Sequence, residues 1–131
     1  MRFWDENDSD LTSPHHDTPL VQAFDGLGRV VRIEEYCCLT DEGQPGPLTS
    51  WVTECQYDLN HRLTRVRDSQ NNVKSLAYDG LKRNIAMNDP DHAITRWVYD
   101  DASNLLQVKD AKGQLITFSY DGANRLLTED Y

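Results

Sequence analysis

The sequence predicts an all-β protein made of consecutive antiparallel hairpins, and three observations carry that prediction. Tyr57-Asp58, Tyr78-Asp79, Tyr99-Asp100 and Tyr120-Asp121 recur at constant intervals of 21 residues. Between them apolar and polar residues alternate with period two, the pattern of a strand with one covered face. Eleven residues after each of the first three tyrosines stands another aspartate, Asp68, Asp89 and Asp110, a residue that hydrogen-bonds its own backbone where a turn begins. A period held across three intervals marks a repeat array, in which each unit is one supersecondary element covering its neighbour.

From the amino end, residues 1–19 read as an acidic, disordered leader. Asp5-Glu6-Asn7-Asp8-Ser9-Asp10 is a solvated acidic run, and Pro14 and Pro19 interrupt regular structure. His15-His16-Asp17 has ligand chemistry for a metal but no second ligand cluster, so an exposed polar loop is the simpler reading. Residues 20–56 form a first, irregular unit that opens at Phe24-Asp25-Gly26-Leu27-Gly28-Arg29, with Val31 and Ile33 pointing inward. It reaches Tyr57 after 33 residues instead of 21, so twelve residues lengthen one hairpin. The turn-rich run Asp41-Glu42-Gly43-Gln44-Pro45-Gly46-Pro47 supplies its tip, between an ascending strand Tyr36–Thr40 and a descending strand Leu48–Gln56.

Residues 57–131 carry the regular units. In each, Thr64 and Val66, Ile85 and Met87, or Leu106 and Val108 occupy one strand face. The turn aspartate follows, with Pro90 suited to a second turn position and Asn71 or Gly113 able to take positive φ at the end. The chain returns through Lys74, Leu76 and Tyr78, through Thr95, Trp97 and Tyr99, and through Ile116, Phe118 and Tyr120. Stacked in register, Leu76, Trp97 and Phe118 would form one cross-strand ladder and the tyrosines another. After each tyrosine a short loop leads to the next hairpin, with Gly80 and Gly122 available for unusual backbone angles.

Composition narrows the function. A net charge of -9 disfavours binding to nucleic acid or an anionic membrane surface, and no apolar run is long enough for a membrane span, nor does the start read as a signal peptide. Leu, Ile, Val and Phe total 29 of 131 residues, near the lower edge for a globular core. Cys37, Cys38 and Cys55 are odd in number and lack paired short spacings, so partly buried thiols are expected in place of a disulfide or a zinc site. Calcium at the repeated aspartates competes poorly with turn chemistry, because Asp68-Ser69-Gln70-Asn71 and Asp110-Ala111-Lys112-Gly113 offer one carboxylate each. Neither a phosphate loop nor a serine elbow is present, and every candidate acid sits in a column that turns explain. The expectation is a non-enzyme without metal or cofactor.

The motif of tyrosine, aspartate, two variable residues, glycine and arginine, followed by an apolar strand and a turn aspartate, resembles the YD or Rhs repeat of bacterial Rhs proteins, toxin-complex proteins and teneurins. It covers residues 22–131. Its positions here are Phe24, Asp25, Gly26, Gly28 and Arg29; Tyr57, Asp58 and Arg62; Tyr78, Asp79, Gly80 and Arg83; Tyr99 and Asp100; and Tyr120, Asp121, Gly122 and Arg125. His61, Lys82, Ser103 and Asn124 stand in the glycine slot, and Asn104 replaces the arginine. The resemblance implies a β-ribbon that spirals into a hollow shell around a toxin domain, secreted or at the cell surface. Nine or ten strands at about 4.8 Å spacing, closed into a ring, would leave about 15 Å across, room for side chains only. The chain therefore reads as a segment of a larger shell, with the remaining repeats and an enclosed toxin domain as partners. Its last hairpin, half made at Tyr131, is expected to self-associate through an open sheet edge. The alternative is a carbohydrate- or protein-binding surface module using Trp51, Trp97, Phe118 and the long hairpin.

Overall fold

The computed structural model describes residues 1–5, 8, 13, 15–39 and 45–131. Its regular structure is all-β: β1 (Arg2–Phe3), β2 (Leu20–Phe24), β3 (Val30–Leu39), β4 (Pro45–Tyr57), β5 (Leu63–Arg67), β6 (Val73–Tyr78), β7 (Asn84–Asp89), β8 (Ala93–Tyr99), β9 (Leu105–Lys109), β10 (Leu115–Tyr120) and β11 (Leu126–Asp130). Two compact units divide the chain, one of Met1–Gln56 with Val66–Asn72, the other of Tyr57–Arg65 with Val73–Tyr131.

In the first unit β1 to β4 lie side by side in chain order, each antiparallel to the next. The long hairpin is present, and its ascending strand runs unbroken from Val30, with Tyr36 opposite Ser50 and Cys37 opposite Thr49. The tip at residues 40–44 lies outside the described residues. Pro45, Gly46 and Pro47, expected in the turn, begin β4 instead, opposite Leu39 across a register shift after Cys37. A bulge tolerates proline because no ladder N–H is required there. No disulfide joins the three cysteines. Thr49, the partner of Cys37, is six residues from Cys55, about 20 Å along the strand. Desolvation raises the pKa of the Cys55 thiol.

The described part of residues 1–19 is tied down at several points. β1 pairs with β2, the amino terminus donates to the Gln22 carbonyl, and Thr18 Oγ1 donates to Asp8 Oδ1 at 2.8 Å. Asp8 is buried, with its carboxylate also accepting from the Asp5 N–H. Residues 6, 7, 9 and 10 of the acidic run lie outside the described residues.

In the second unit β6 to β11 follow chain order as an antiparallel meander. Leu76, Met87, Thr95, Trp97, Tyr99, Leu106, Val108, Ile116, Phe118 and Tyr120 lie on its better covered face, and Ala77, Asn88, Arg96, Val98, Gln107 and Ser119 on the exposed one. Covered is relative: no apolar side chain among the described residues is buried. The low count of Leu, Ile, Val and Phe has this consequence. Each half of the array has strands enough to satisfy the backbone but no second layer of its own to seal the apolar face.

The ladders differ from the expected ones. Leu76, Trp97 and Phe118 stand opposite Met87, Val108 and Glu129, not one another. Every unit contributes two strands, so equivalent residues are separated by the intervening strand, roughly 10 Å away. The tyrosines obey the same rule, with Tyr78 opposite Asn84, Tyr99 opposite Leu105 and Tyr120 opposite Leu126, each beside a register shift.

Asn84 is out of place in this column, which otherwise holds Leu63, Leu105 and Leu126. Its Oδ1 is buried without a hydrogen-bond partner. Asn84→Leu should therefore stabilise the chain by about 1–2 kcal/mol, since an unsatisfied buried acceptor is removed and an apolar one gained. A urea midpoint equal to or below that of the parent would refute this assignment.

Candidate functional site

The repeated residues converge on the loops that follow each tyrosine. Each is a five-residue closure. The aspartate N–H donates to the carbonyl four residues on, and the N–H three residues on donates back to the aspartate carbonyl, as in Asp79 with Arg83 at 3.0 Å and Lys82 with Asp79 at 3.1 Å. This is a three-residue hairpin loop whose last residue takes the left-handed conformation. That residue is Gly28 (φ 76°), His61 (φ 64°), Lys82 (φ 70°), Ser103 (φ 69°) or Asn124 (φ 60°). The glycine slot identified in the sequence is thus the position of positive φ. Gly80 and Gly122 are corrected: neither has positive φ, because each occupies the first loop position, where any residue fits.

The aspartate carboxylate organises the loop. Asp79 Oδ1 accepts from the backbone N–H groups of Leu81 and Arg83, both at 2.9 Å, while Oδ2 accepts from Arg83 Nε at 2.6 Å. Asp25 with Leu27 and Arg29, Asp58 with Asn60 and Arg62, and Asp121 with Ala123 and Arg125 repeat all three bonds. At Asp100, Asn104 supplies the N–H and, through Nδ2 at 2.8 Å, the side-chain donor.

The arginine also reaches the next unit. Arg62 Nη1 donates to the Asp79 carbonyl at 3.0 Å while its guanidinium lies 4.8 Å from the centroid of the Tyr78 ring. Arg83 does the same to the Asp100 carbonyl at 2.6 Å and to the Tyr99 ring at 4.9 Å. Tyrosine, aspartate and arginine therefore form one interlock, in which a loop's own arginine clamps the loop after it. Tyr78 and Tyr120 add hydroxyl bonds to the carbonyls of Leu63 and Leu105, at 2.9 and 3.0 Å. Asn104 is too short for that reach and instead donates to Asn124 Oδ1 at 2.9 Å.

The loops at the other ends of the strands use the same closure without arginine. Asp68 accepts from Gln70 N, Asn72 N and Asn72 Nδ2, with Asn71 at φ 65°, and Asp110 accepts from Gln114 N, with Gly113 at φ 84°. Asp89 is the exception: its loop has the same length, with Asp89 opposite Ala93, but positive φ falls one residue later, at Ala93, and Lys74 Nζ lies 2.9 Å from Oδ2.

These bonds hold the aspartates ionised. The Arg62 N–H is the strongest influence at Asp58 and the Arg29 N–H at Asp25, each lowering the pKa. At Asp79 the largest influence is desolvation, which opposes ionisation, yet the bonds from Arg83 outweigh it and the pKa is lowered. Lys74 holds Asp89 far below the usual carboxylate range. An acid or base for catalysis at neutral pH needs the opposite shift. Among the described residues no group of three His, Cys, Asp or Glu side chains is arranged to hold a metal. Among the described residues no helix is long and apolar enough to cross a membrane.

Of the aromatic residues singled out in the sequence, Trp97 and Phe118 share the covered face of the second unit, half buried, with β9 between them. Trp51, on β4 in the first unit, is 48% exposed and opposite Glu35.

Residues 99–131, from the Tyr99 loop to the end of β11, match the family model described as RHS Repeat. That segment, a quarter of the chain, is similar to an RHS repeat. Tyr57 and Tyr78 place two more copies of its motif upstream at the same 21-residue spacing. Three solved structures are similar to the chain. They are the crystal structure of TcdB2-TccC3-Cdc42 (22% identity, TM-score 0.79), the Photorhabdus luminescens Tc holotoxin pore with the TccC3 D651A mutation (21%, 0.79), and the crystal structure of TcdB2-TccC3 without its hypervariable C-terminal region (22%, 0.77). The matches cover 98%, 98% and 95% of this chain and 7% of each of those chains, and they establish the fold. No curated protein matches the sequence.

Proposed function

We propose that this RHS-repeat chain is a structural, non-catalytic segment of a toxin-associated encapsulating shell, with an acidic leader at residues 1–19, an irregular repeat at 20–56 and regular repeats at 57–131. The observation that carries the reading is the interlock: the motif side chains are spent holding one hairpin to the next, and none is left poised for chemistry. Two further features support it. One sheet face is apolar but only half covered, as suits a wall that closes around something else. The fold also recurs as a small part of much longer Tc toxin chains. Trp51, at 48% exposed, favours a second reading, in which it and the long hairpin offer a surface to carbohydrate or protein.

The test is to purify the product of the complete reading frame that contains this sequence and image it by cryo-electron microscopy. A hollow β-shell with these strands in its wall is expected. A product in which they project as a separate module, with Trp51 free to bind a glycan, overturns the shell reading in favour of the second.

A further inference from the structure

The aspartates of the second unit gather in its loops, and its exposed sheet face is left with the opposite sign. Arg96 on β8 and Lys109 on β9 stand directly opposite each other there, with Ala86 beyond Arg96 and Leu115 beyond Lys109. Like charges so placed repel. Among the described residues neither cation has an ion pair or a side-chain hydrogen bond, whereas Arg62, Lys74 and Arg83 are each held by an aspartate. Arg65, exposed on β5, adds a third positive charge. Asp130 is the one carboxylate that a strand of this unit puts on the same face, opposite Thr117 and two strands from Lys109. Apolar side chains frame the pair: Ile94 and Val98 lie two residues to either side of Arg96, 39% and 47% exposed, and Leu115 is also exposed. On the β6 and β7 side, Ala77 opposite Ala86 keeps the approach low. Both β8 and β9 are paired on each side, so this face can be read through side chains alone.

We propose that this face, centred on Arg96 and Lys109, is a docking surface for an extended protein segment whose alternate side chains are apolar, acidic and apolar. Charge complementarity names the centre of that pattern. One carboxylate between the two cations ends their mutual repulsion and gains the attraction of both. Spacing names its flanks. Alternate residues of an extended chain are about 6.8 Å apart, as are Ile94, Arg96 and Val98 along β8, so with the acid over Arg96 its apolar neighbours fall on Ile94 and Val98. A sulfated sugar matches the charge but brings no apolar side chain at that interval. The overall charge of -9 does not prevent the approach, since salt screens distant charges beyond about 8 Å and the nearest ones are Arg96 and Lys109. The inference goes beyond the shell reading, because it concerns the face opposite the half-covered apolar one.

The probe is a seven-residue peptide in which valine, aspartate and leucine alternate with threonine, titrated into the isotope-labelled 131-residue chain and followed by amide NMR shifts. Saturable shifts are expected on β8, β9 and the start of β10. A chain carrying Arg96→Glu and Lys109→Glu keeps a like-charge pair, so its β content by circular dichroism should match the parent. It should bind the aspartate peptide about tenfold more weakly and prefer a peptide with lysine in place of aspartate. Lys109→Gln, which removes one charge and adds none, should cost about threefold and serves if the reversed chain does not fold. No saturable shift, shifts confined to the loops, or variants that bind the aspartate peptide as the parent does overturn the proposal. Equal affinity for inorganic sulfate, or for a peptide with threonine at both apolar positions, overturns it too, because the face would then attract any anion.

Discussion

Asp79→Ala will unfold the chain at a lower temperature, by roughly 5–10 °C. The carboxylate satisfies two backbone N–H groups and holds the Arg83 guanidinium in place, so its loss leaves three donors without an acceptor and frees the clamp on Tyr99 and Asp100. Removing Arg83 instead would spare the two backbone bonds and cost less. Asp79→Asn keeps an oxygen for the backbone but gives up the charge facing Arg83, and should fall between Asp79→Ala and the parent. Thermal melts by circular dichroism rank the three proteins; an alanine variant within about 1 °C of the parent would show that the loop is held by strand pairing alone.

Acid should unfold the chain steeply, because the same chemistry recurs along it. Asp25, Asp58, Asp68, Asp79, Asp89, Asp100 and Asp121 all have folded pKa values below the ordinary carboxylate value. In the unfolded chain they titrate near about 3.9, so through this window the unfolded state binds more protons than the folded one. Their contribution to stability is complete above that value and is lost as pH falls through the lowered folded values. The net charge of -9 works the other way: moving from pH 7 toward the pI near 4.7 relieves repulsion and favours the compact state. Stability is thus expected to be greatest near pH 5 and to drop sharply below pH 4. Equal urea midpoints at pH 3 and pH 6 would mean that the loop carboxylates contribute little.

Much of this was legible in the sequence because it is periodic. The spacing of the tyrosines and the alternation in Leu106 and Val108 or Ile116 and Phe118 gave strands and hairpins. Ladder composition was not legible, since period two assigns a face but not a neighbour; Trp97 opposite Val108 depends on where the bulge at Tyr99 falls. Gly80 misled because a glycine in a loop suggests positive φ, whereas the strained position fell on Lys82. The clamp was missed for a different reason. Arg62 touches Tyr78 and Asp79 across 16 and 17 residues, and local turn chemistry is silent about contacts at that separation. The signal was nonetheless present: arginine recurs four residues after the aspartate at Arg29, Arg62, Arg83 and Arg125, a spacing that turn chemistry leaves unexplained.

What Arg62 and Arg83 ask of the following loop is modest: one aromatic ring and one main-chain oxygen that every residue possesses. Any copy can therefore follow any other without a matched change in its neighbour. Such units behave as interchangeable cassettes, free to be duplicated, deleted or shuffled in steps of 21 residues while the intervening side chains drift. A sheet built this way can change its number of strands by copy number alone, leaving its joints as they were.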